Sequence, residues 1–156
     1  MTAEIIPYGH KRNQMKEKIE TIVKEVFKDT PCDFVLLFGS HARGDAHAMS
    51  DIDIGVCTPE PLDLKSLGYL AATLETRLRR PVDLTDLYGL YRKNPLLAFE
   101  ILSHHIPLCL RDEERYIHFK TMAQLSYLDH KPLIEANRRQ LRRRIEEGKI
   151  GERNYA

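Results

Sequence analysis

The sequence predicts an α/β protein with a small mixed sheet flanked by helices and a helical C-terminal extension. Three observations support this fold class. Several segments carry apolar residues at the intervals of three and four that are typical of helices. Short aliphatic runs of strand length lie between those segments, and after the last of these runs only helical patterns follow.

Clear patterns define the first helix and the first two strands. Apolar residues from Met15 to Phe27 recur at helical spacing, which predicts an amphipathic helix over residues 11–28. The run CDFVLLF (residues 32–38) is too short for a typical helix and indicates a strand covered on both faces. The run DIDIGV (residues 51–56) alternates acids with aliphatic residues, which predicts a strand with two chemically different faces.

A second helix, a third strand and a third helix follow in that order. Leucines at helical spacing predict a helix over residues 67–78, and the run PVDLTDL predicts a strand over residues 81–87. The pair Asn94-Pro95 resembles an N-cap followed by a proline in the first helical position, so a helix is expected to run from there to about His104.

The C-terminal part begins with the fourth strand, IPLCL, at residues 106–110. From Asp112 onward the chain is helical in character, with acidic residues in the first turn. A break is expected near residues 129–132, because a proline ends this stretch, and the last helix is expected to end at Gly148.

Length and composition fit a single compact domain in the cytoplasm. A chain of 156 residues can bury a core without metal or disulfide staples. No run is apolar enough for a membrane span, and no secretory signal is visible, so a cytoplasmic location is the default. The cysteines Cys32, Cys57 and Cys109 contain no C-x-x-C pair, which argues against a disulfide framework or a thiolate metal site.

Asp51 and Asp53 form the first candidate site. They lie two residues apart on a predicted strand, so both carboxylates project from one face, with Cα atoms roughly 6 to 7 Å apart. At an effective dielectric near 20, two such charges about 5 Å apart repel by about 3 kcal/mol. Protonation, a basic partner or a divalent cation could compensate, and an all-oxygen ligand set favours Mg²⁺ or Mn²⁺ over Zn²⁺.

Gly39 and Ser40 form the second candidate site, directly after a buried strand. Backbone N–H groups of a short helical turn, together with the serine hydroxyl, can hold phosphate oxygens. Arg43, one turn on, is a candidate phosphate ligand, with a surface ion pair to Asp45 as the alternative. Ser50 is a further nucleotide-binding candidate, with a role as a turn residue as the alternative.

Histidines and arginines outside this pattern have simpler interpretations. His41 and His47 lie in the loop without metal-ligand spacing and are expected to be exposed to solvent. Five arginines between Arg138 and Arg144 have acidic neighbours, so a solvated helix face is favoured over a nucleic-acid stripe. This segment is nevertheless the candidate surface for a partner or for RNA.

The two candidate sites together resemble a known family. Gly39-Ser40, ten intervening residues and then Asp51-Ile52-Asp53 match the G-S-x10-D-x-D signature of the DNA polymerase β-like nucleotidyltransferase superfamily. The string GSHARGDAHAMSDIDI is similar to its minimal nucleotidyltransferase (MNT) group. The resemblance implies a nucleotidyltransferase domain over residues 1–111, followed by a helical extension over residues 112–156 that belongs to the same compact unit.

The resemblance also implies roles for individual residues. The family takes a third carboxylate from a later strand, which Asp83 in Val82-Asp83-Leu84 matches. Asp86 is a rival, but on a regular strand it would point away from the face of Asp83. Asp51, Asp53 and Asp83 would then be catalytic and would hold two Mg²⁺ ions, with Mn²⁺ as a substitute. Gly39 and Ser40 would hold the triphosphate of ATP.

Members of the MNT group are commonly antitoxins of HEPN/MNT toxin-antitoxin pairs. The resemblance therefore implies transfer of AMP from ATP to a tyrosine of a cognate HEPN-type ribonuclease toxin. The alternatives are transfer to a small molecule of the aminoglycoside type, an antitoxin that acts by stoichiometric binding only, and extension of RNA ends. No membrane contact is expected, and direct binding of nucleic acid is the less favoured interpretation.

Overall fold

The computed structural model describes the backbone of residues 8–149 and the side chains of residues 11–149. Four strands and six helices form in these residues. In chain order they are α1 (Tyr8–Val26), β1 (Phe34–Phe38), α2 (Gly39–Arg43), β2 (Ile52–Cys57), α3 (Leu64–Leu78), β3 (Val82–Asp86), α4 (Leu90–Lys93), α5 (Pro95–Ser103), β4 (Ile106–Leu110) and α6 (Glu113–Glu146). The predicted α/β class is confirmed.

The sheet is mixed, as the sequence predicts. Its strand order is β3-β2-β1-β4. Strand β1 pairs antiparallel with both β2 and β4, whereas β2 and β3 are parallel and are joined through α3. The end of β1 and the starts of β2 and β3 carry the candidate site residues.

The sheet is buried on both faces because alternate residues of β1 enter two different clusters. Val35 and Leu37 pack with residues of α1 and α3, and Phe34 and Leu36 pack with residues of α4, α5 and α6. All four side chains are fully buried. The continuous apolar run in the sequence therefore indicates the fold correctly, since only a strand covered on both sides needs no polar face.

Side-chain caps fix the starts of three helices. Asp63 accepts a hydrogen bond from the Ser66 amide at the start of α3, and Asp112 does the same for Arg115 at the start of α6. At the start of α5, Asn94 accepts from the Leu97 amide and Pro95 takes the first helical position, which confirms the predicted cap. These caps satisfy backbone donors that the helix itself leaves unpaired.

The break predicted near residues 129–132 is wrong, because α6 continues through Pro132 to Glu146. Proline removes one backbone hydrogen bond and crowds the carbonyl of the preceding turn. Residues 128–133 of α6 are exposed to solvent, so water can solvate the freed carbonyl group. The first part of α6 is held on the domain by the buried side chains of Phe119 and Ala123.

The short helix α4 was not expected from the sequence. Strand β2 begins at Ile52, one residue later than predicted. Residues 1–7 and 150–156, which the two predicted segments 1–111 and 112–156 include, lie outside the described residues. The boundary between those segments stays a prediction. No helix among the described residues combines the length and the apolar character that a membrane crossing requires.

All three cysteines are free thiols, in agreement with the sequence. Burial raises the pKa of Cys32 to about 11 and that of Cys57 to about 12. These thiols therefore remain protonated near neutral pH and behave as small buried side chains.

Candidate active site

Asp53 and Asp83 lie side by side on neighbouring parallel strands. They are register partners between β2 and β3, so their side chains share one face of the sheet about 5 Å apart. The flanking residues Ile52 and Ile54 point to the opposite face and are fully buried there. The alternation of acids and aliphatic residues thus places the carboxylates toward the face covered by α5 and the aliphatic chains toward α1 and α3.

Gly39 brings the start of α2 against the Asp53 carboxylate. Phe38, the last residue of β1, is the register partner of Asp53, and Gly39 follows with a positive φ of 67°. A Cβ atom on Gly39 would lie 2.8 Å from Asp53 Cγ and closer still to its Oδ2. Only glycine fits this position, for reasons of both backbone conformation and space.

The turn that begins at Gly39 is open at its N-terminus. Phe38 occupies the N-cap position and provides no side-chain hydrogen bond to the first amides of α2. The helix ends at Gly44, whose amide donates to the Ser40 carbonyl at 3.0 Å. The uncapped N–H groups of α2 therefore remain available to an anionic ligand beside Asp53.

The carboxylates are not neutralised by their surroundings. Burial raises the pKa of Asp53, and the charges of Asp83 and Asp51 raise it further, whereas Arg43 partly offsets the shift. Asp51, just before β2, and Asp83 are both exposed. The three acids that the motif predicts are therefore brought within electrostatic reach of one another, and a cation at this place would be stabilised.

Arg43 and Ser50 have other partners in this structure. Arg43 Nε donates to Asp45 Oδ2 at 3.2 Å, which is the alternative that the sequence left open, yet the side chain still lines the cavity at Asp53. The Ser50 hydroxyl accepts from the His47 amide at 2.9 Å, as expected for a turn residue. Ser50 does not line that cavity.

A cavity of about 390 Å³ opens at Asp53 and extends to α5. Phe38, Gly39, Ser40, Arg43 and Asp53 line one side of it, and Leu97, Glu100, Ile101 and His104 line the other. The motif did not identify the α5 residues. Glu100 and His104 are four positions apart on a predicted helix, which indicates a shared face but not the direction of that face.

Asp86 is used in local structure. Its Oδ1 accepts from the Tyr88 amide at 2.9 Å and its Oδ2 from the Leu62 amide at 3.3 Å. These bonds tie the end of β3 to the segment before α3. Asp83, which has no such bonds to backbone amides within the described chain, is the acid that faces Asp53.

The comparison with known families identifies this arrangement. Residues 17–114 match the family described as polymerase beta, nucleotidyltransferase. The chain belongs to this nucleotidyltransferase family. The match includes all four strands and every candidate site residue, which agrees with the resemblance found in the motif.

Individual relatives of the family agree with this assignment. The chain is 43% identical over 53 residues to protein adenylyltransferase MntA of Shewanella oneidensis, a match that spans 34% of this chain and only 38% of the relative. A crystal structure of the toxin-antitoxin with AMP-PNP has a TM-score of 0.64 at 24% identity, over 75% of this chain and 96% of that chain.

A second solved structure, of tri-AMPylated Shewanella oneidensis HEPN toxin in complex with MNT antitoxin, has a TM-score of 0.60 at 22% identity, over 78% of this chain and 97% of that chain. At these identities the two structural likenesses establish the fold. The nucleotidyltransferase fold predicted from the sequence is thereby confirmed.

His41 differs from the expectation for a loop histidine. It is only 7% exposed, and its Nε2 is buried without a hydrogen-bond partner among the described residues. Burial lowers the pKa of His41, a hydrogen bond with the Ser50 backbone partly offsets this, and the charge of Arg80 lowers it further. This burial could not be predicted from the sequence, because it depends on tertiary packing around the loop. His47 is exposed, as expected.

The carboxylates predicted to bind metal do not form a complete set of ligands in this structure, although Asp53 and Asp83 are neighbours in the sheet. Within residues 11–149, no three carboxylate, imidazole or thiol groups are arranged as a ready-made metal site. Asp51 is exposed to solvent and lies directly before the strand that carries Asp53.

Proposed function

We propose that this protein is an adenylyltransferase that moves AMP from ATP to a tyrosine hydroxyl of a cognate HEPN-type toxin. The observation that carries the proposal is the contact of the Gly39 turn with Asp53, while Asp83 stands beside Asp53 in the sheet. A phosphate cradle and a carboxylate pair then face the same space. This is the arrangement that transfer of a nucleotidyl group requires.

The Gly39 turn and Arg43 would hold the triphosphate. The uncapped amides of α2 and the Ser40 hydroxyl would donate hydrogen bonds to oxygens of the β- and γ-phosphates. Arg43 would exchange Asp45 for a phosphate oxygen, a charge-assisted bond of the same kind with a more highly charged partner. Ser50 would support the site only through the turn before Asp51.

The carboxylates fit magnesium. Their donors are all oxygen, and the pKa of Asp53 is raised by burial and by its acidic neighbours, so a divalent cation would relieve a real repulsion. Asp51, Asp53 and Asp83 would hold two Mg²⁺ ions, or Mn²⁺ in their place. Bound ions would supply charge neutralisation at the reacting phosphate and the leaving group.

The chain's own groups would then orient the reaction. The tyrosine oxygen attacks the α-phosphorus of ATP, the bond from that phosphorus to the bridging oxygen breaks, and pyrophosphate leaves. The proton of the hydroxyl passes to a carboxylate, and exposed Asp83 is the accessible acceptor beside Asp53. Glu100 and His104 on the far wall of the cavity are placed where the nucleoside or the acceptor would approach.

The choice of partner is supported by the relatives. MntA is named a protein adenylyltransferase, and the two similar solved structures are a toxin-antitoxin with AMP-PNP and an AMPylated HEPN toxin bound to an MNT antitoxin. ATP as donor, a HEPN-type toxin as acceptor and an antitoxin role in the cell are the corresponding proposals for this chain.

The proposal is tested by transfer of label from α-labelled ATP to the purified toxin. Wild-type protein should label the toxin, and Asp53→Asn should abolish labelling, while Asp129→Asn, the same substitution on an exposed turn of α6, should not. Labelling that persists undiminished in Asp53→Asn rejects the catalytic assignment. Labelling of an aminoglycoside but not of the toxin would favour the small-molecule alternative.

A second experiment, on the protection of cells from the toxin, distinguishes neutralisation by catalysis from neutralisation by binding. If Asp53→Asn still protects cells from the toxin as well as the wild type does, stoichiometric binding is sufficient for neutralisation. Loss of protection together with loss of labelling supports neutralisation by covalent modification.

A further inference from the structure

A second cavity, of about 370 Å³, lies between α1 and the segment that follows the Gly39 turn. It shares no lining residue with the cavity at Asp53. The wall between α1 and this segment contains Met15, Ala46 and Ala48, which are apolar, and the rest of the lining is basic or imidazole-bearing apart from Gly44.

The basic groups of this cavity come from two parts of the chain. Arg12 and Lys16 lie one turn apart on α1, Lys11 precedes Arg12 and also lines the cavity, and Arg80 precedes β3. None of the described residues that line the cavity is acidic. Lys11, Lys16 and Arg80 form no ion pair with a carboxylate of the described chain.

Arg80 is held in place at the wall of the cavity. Its Nη1 donates to the Ala48 carbonyl at 2.8 Å and lies 3.5 Å from the His47 carbonyl. A guanidinium carries five N–H donors, so the remaining donors can contact a ligand without loss of these bonds. This guanidinium is thus preorganised, which lowers the entropic cost of binding.

His41 supplies the observation that points to a ligand. Its side chain lines the cavity, is more than nine-tenths buried, and has a buried Nε2 without a partner among the described residues. A buried polar atom without a hydrogen bond costs free energy, and native structures contain few of them. Nε2 has almost no accessible surface in this structure, so an oxygen atom of a bound molecule would satisfy it after a small movement of the side chains around the ring.

We propose that this cavity binds a small phosphate-bearing molecule, separately from the ATP site. The ammonium groups of Lys11 and Lys16 and the guanidinium of Arg80, which line one cavity and form no ion pair with a described carboxylate, match the charge and the oxygen geometry of a phosphate. The volume falls in the range of small-molecule sites, and the apolar residues Met15, Ala46 and Ala48 suit a nucleoside beside the phosphate. Inorganic pyrophosphate offers phosphate groups without a nucleoside. A comparison of its binding with that of AMP therefore shows whether the cavity takes a nucleotide or a phosphate alone.

Calorimetric titration of the full chain in EDTA, with AMP and with pyrophosphate as separate probes, tests the proposal. No transfer reaction takes place under these conditions, so the result is independent of the proposed adenylyltransferase activity. Lys16→Gln should weaken binding by about tenfold, as loss of a charge-assisted bond predicts. Lys11→Gln, which also removes a lysine that lines the cavity, provides a second variant with the same expected direction.

Two control variants locate the bound probe. Lys18→Gln removes an exposed lysine of the same helix that does not line the cavity and should leave binding unchanged. Arg43→Ala removes the arginine of the Asp53 cavity and should also leave binding unchanged. Loss of binding in Arg43→Ala but not in Lys16→Gln would mean that the probe occupies the ATP site, and would overturn the proposal.

The ring resonances of His41 give a readout at the cavity itself. They should move during titration of the wild type, assigned by comparison with His41→Gln, and should move less in Lys16→Gln at the same probe concentration. Binding of AMP alone, or of pyrophosphate alone, supports the site and names its ligand class. No binding of either probe at millimolar concentration, or binding without a change at His41, would overturn it.

Discussion

Gly39 and Asp53 are packed so closely that no side chain larger than hydrogen fits between them: a Cβ on Gly39 would lie 2.8 Å from Asp53 Cγ. The signature of a glycine followed at fixed distance by the second acid therefore has a steric basis. The distance along the chain allows β1 and β2 to pair so that the turn after one strand meets the carboxylate of the next. In the proposed mechanism, the geometry of the reacting groups depends on this contact.

Gly39→Ala should reduce the transfer rate by at least about 100-fold. The added Cβ would displace the Asp53 side chain, and even a small displacement misaligns the reacting groups. It should also lower the free energy of unfolding by about 1 kcal/mol or more through the positive φ. Gly89→Ala is the matched control, since Gly89 has a φ of 63° and nothing within 4 Å of a Cβ. It should lose stability and keep activity. Equal activity in the two variants would contradict the steric argument.

Asp53→Asn should inactivate the enzyme and yet raise its melting temperature near neutral pH. The pKa of Asp53 is raised in the folded protein, so the folded state binds the proton more tightly than the unfolded chain does. Its stabilising contribution is complete below the unfolded pKa, near 3.8, and is lost as pH rises through the higher folded value. The rise in melting temperature caused by Asp53→Asn should therefore be small at acid pH and larger at pH 7. Thermal unfolding of both proteins at the two pH values measures this difference. A gain that shrinks with rising pH would contradict this sign.

Arg43→Ala should raise the KM for ATP by about tenfold, because a charge-assisted contact with a phosphate oxygen is lost. Asp45→Asn is the informative companion. It removes the ion pair that holds Arg43 at 3.2 Å in the free protein and should leave the KM unchanged or lower it. Steady-state kinetics with varied ATP distinguishes the two. An equal rise in KM for both variants would mean that Arg43 acts through Asp45 and not through the nucleotide.

Removal of divalent cations should abolish transfer, and Mg²⁺ or Mn²⁺ should restore it while Zn²⁺ should not, since the donors are carboxylate oxygens. Binding can be followed without catalysis as a rise in melting temperature with added Mn²⁺. That rise should disappear in Asp53→Asn and persist in Asp129→Asn. A rise of the same size in both variants would place the ion elsewhere.

The sequence identified the parts of the site that depend on local spacing. Alternation in the second strand predicted that Asp53 faces away from Ile52 and Ile54, and this is confirmed because side-chain direction in a strand follows from position. Asp83 was identified through the family resemblance, and the structure shows it beside Asp53 as its register partner. The catalytic roles of these acids stay predictions.

Features that depend on tertiary packing could not be predicted in the same way. His41 is buried and lines a cavity together with residues of α1 and Arg80, which are distant in sequence. The cavity wall formed by Glu100 and His104 depends on how α5 packs on the sheet. The continuity of α6 through Pro132 was missed for another reason. Proline weakens a helix without always ending it, and an exposed helix can leave the freed carbonyl in water.

The most direct test of the site is a crystal structure of the protein with Mn²⁺ and a nonhydrolysable ATP analogue, with manganese located by its anomalous signal. The account predicts manganese bound to the carboxylates of Asp53 and Asp83, Asp51 turned toward it, and phosphate oxygens within hydrogen-bond distance of the amides that follow Gly39. Manganese away from Asp53, or a triphosphate that does not contact the Gly39 turn, would contradict it.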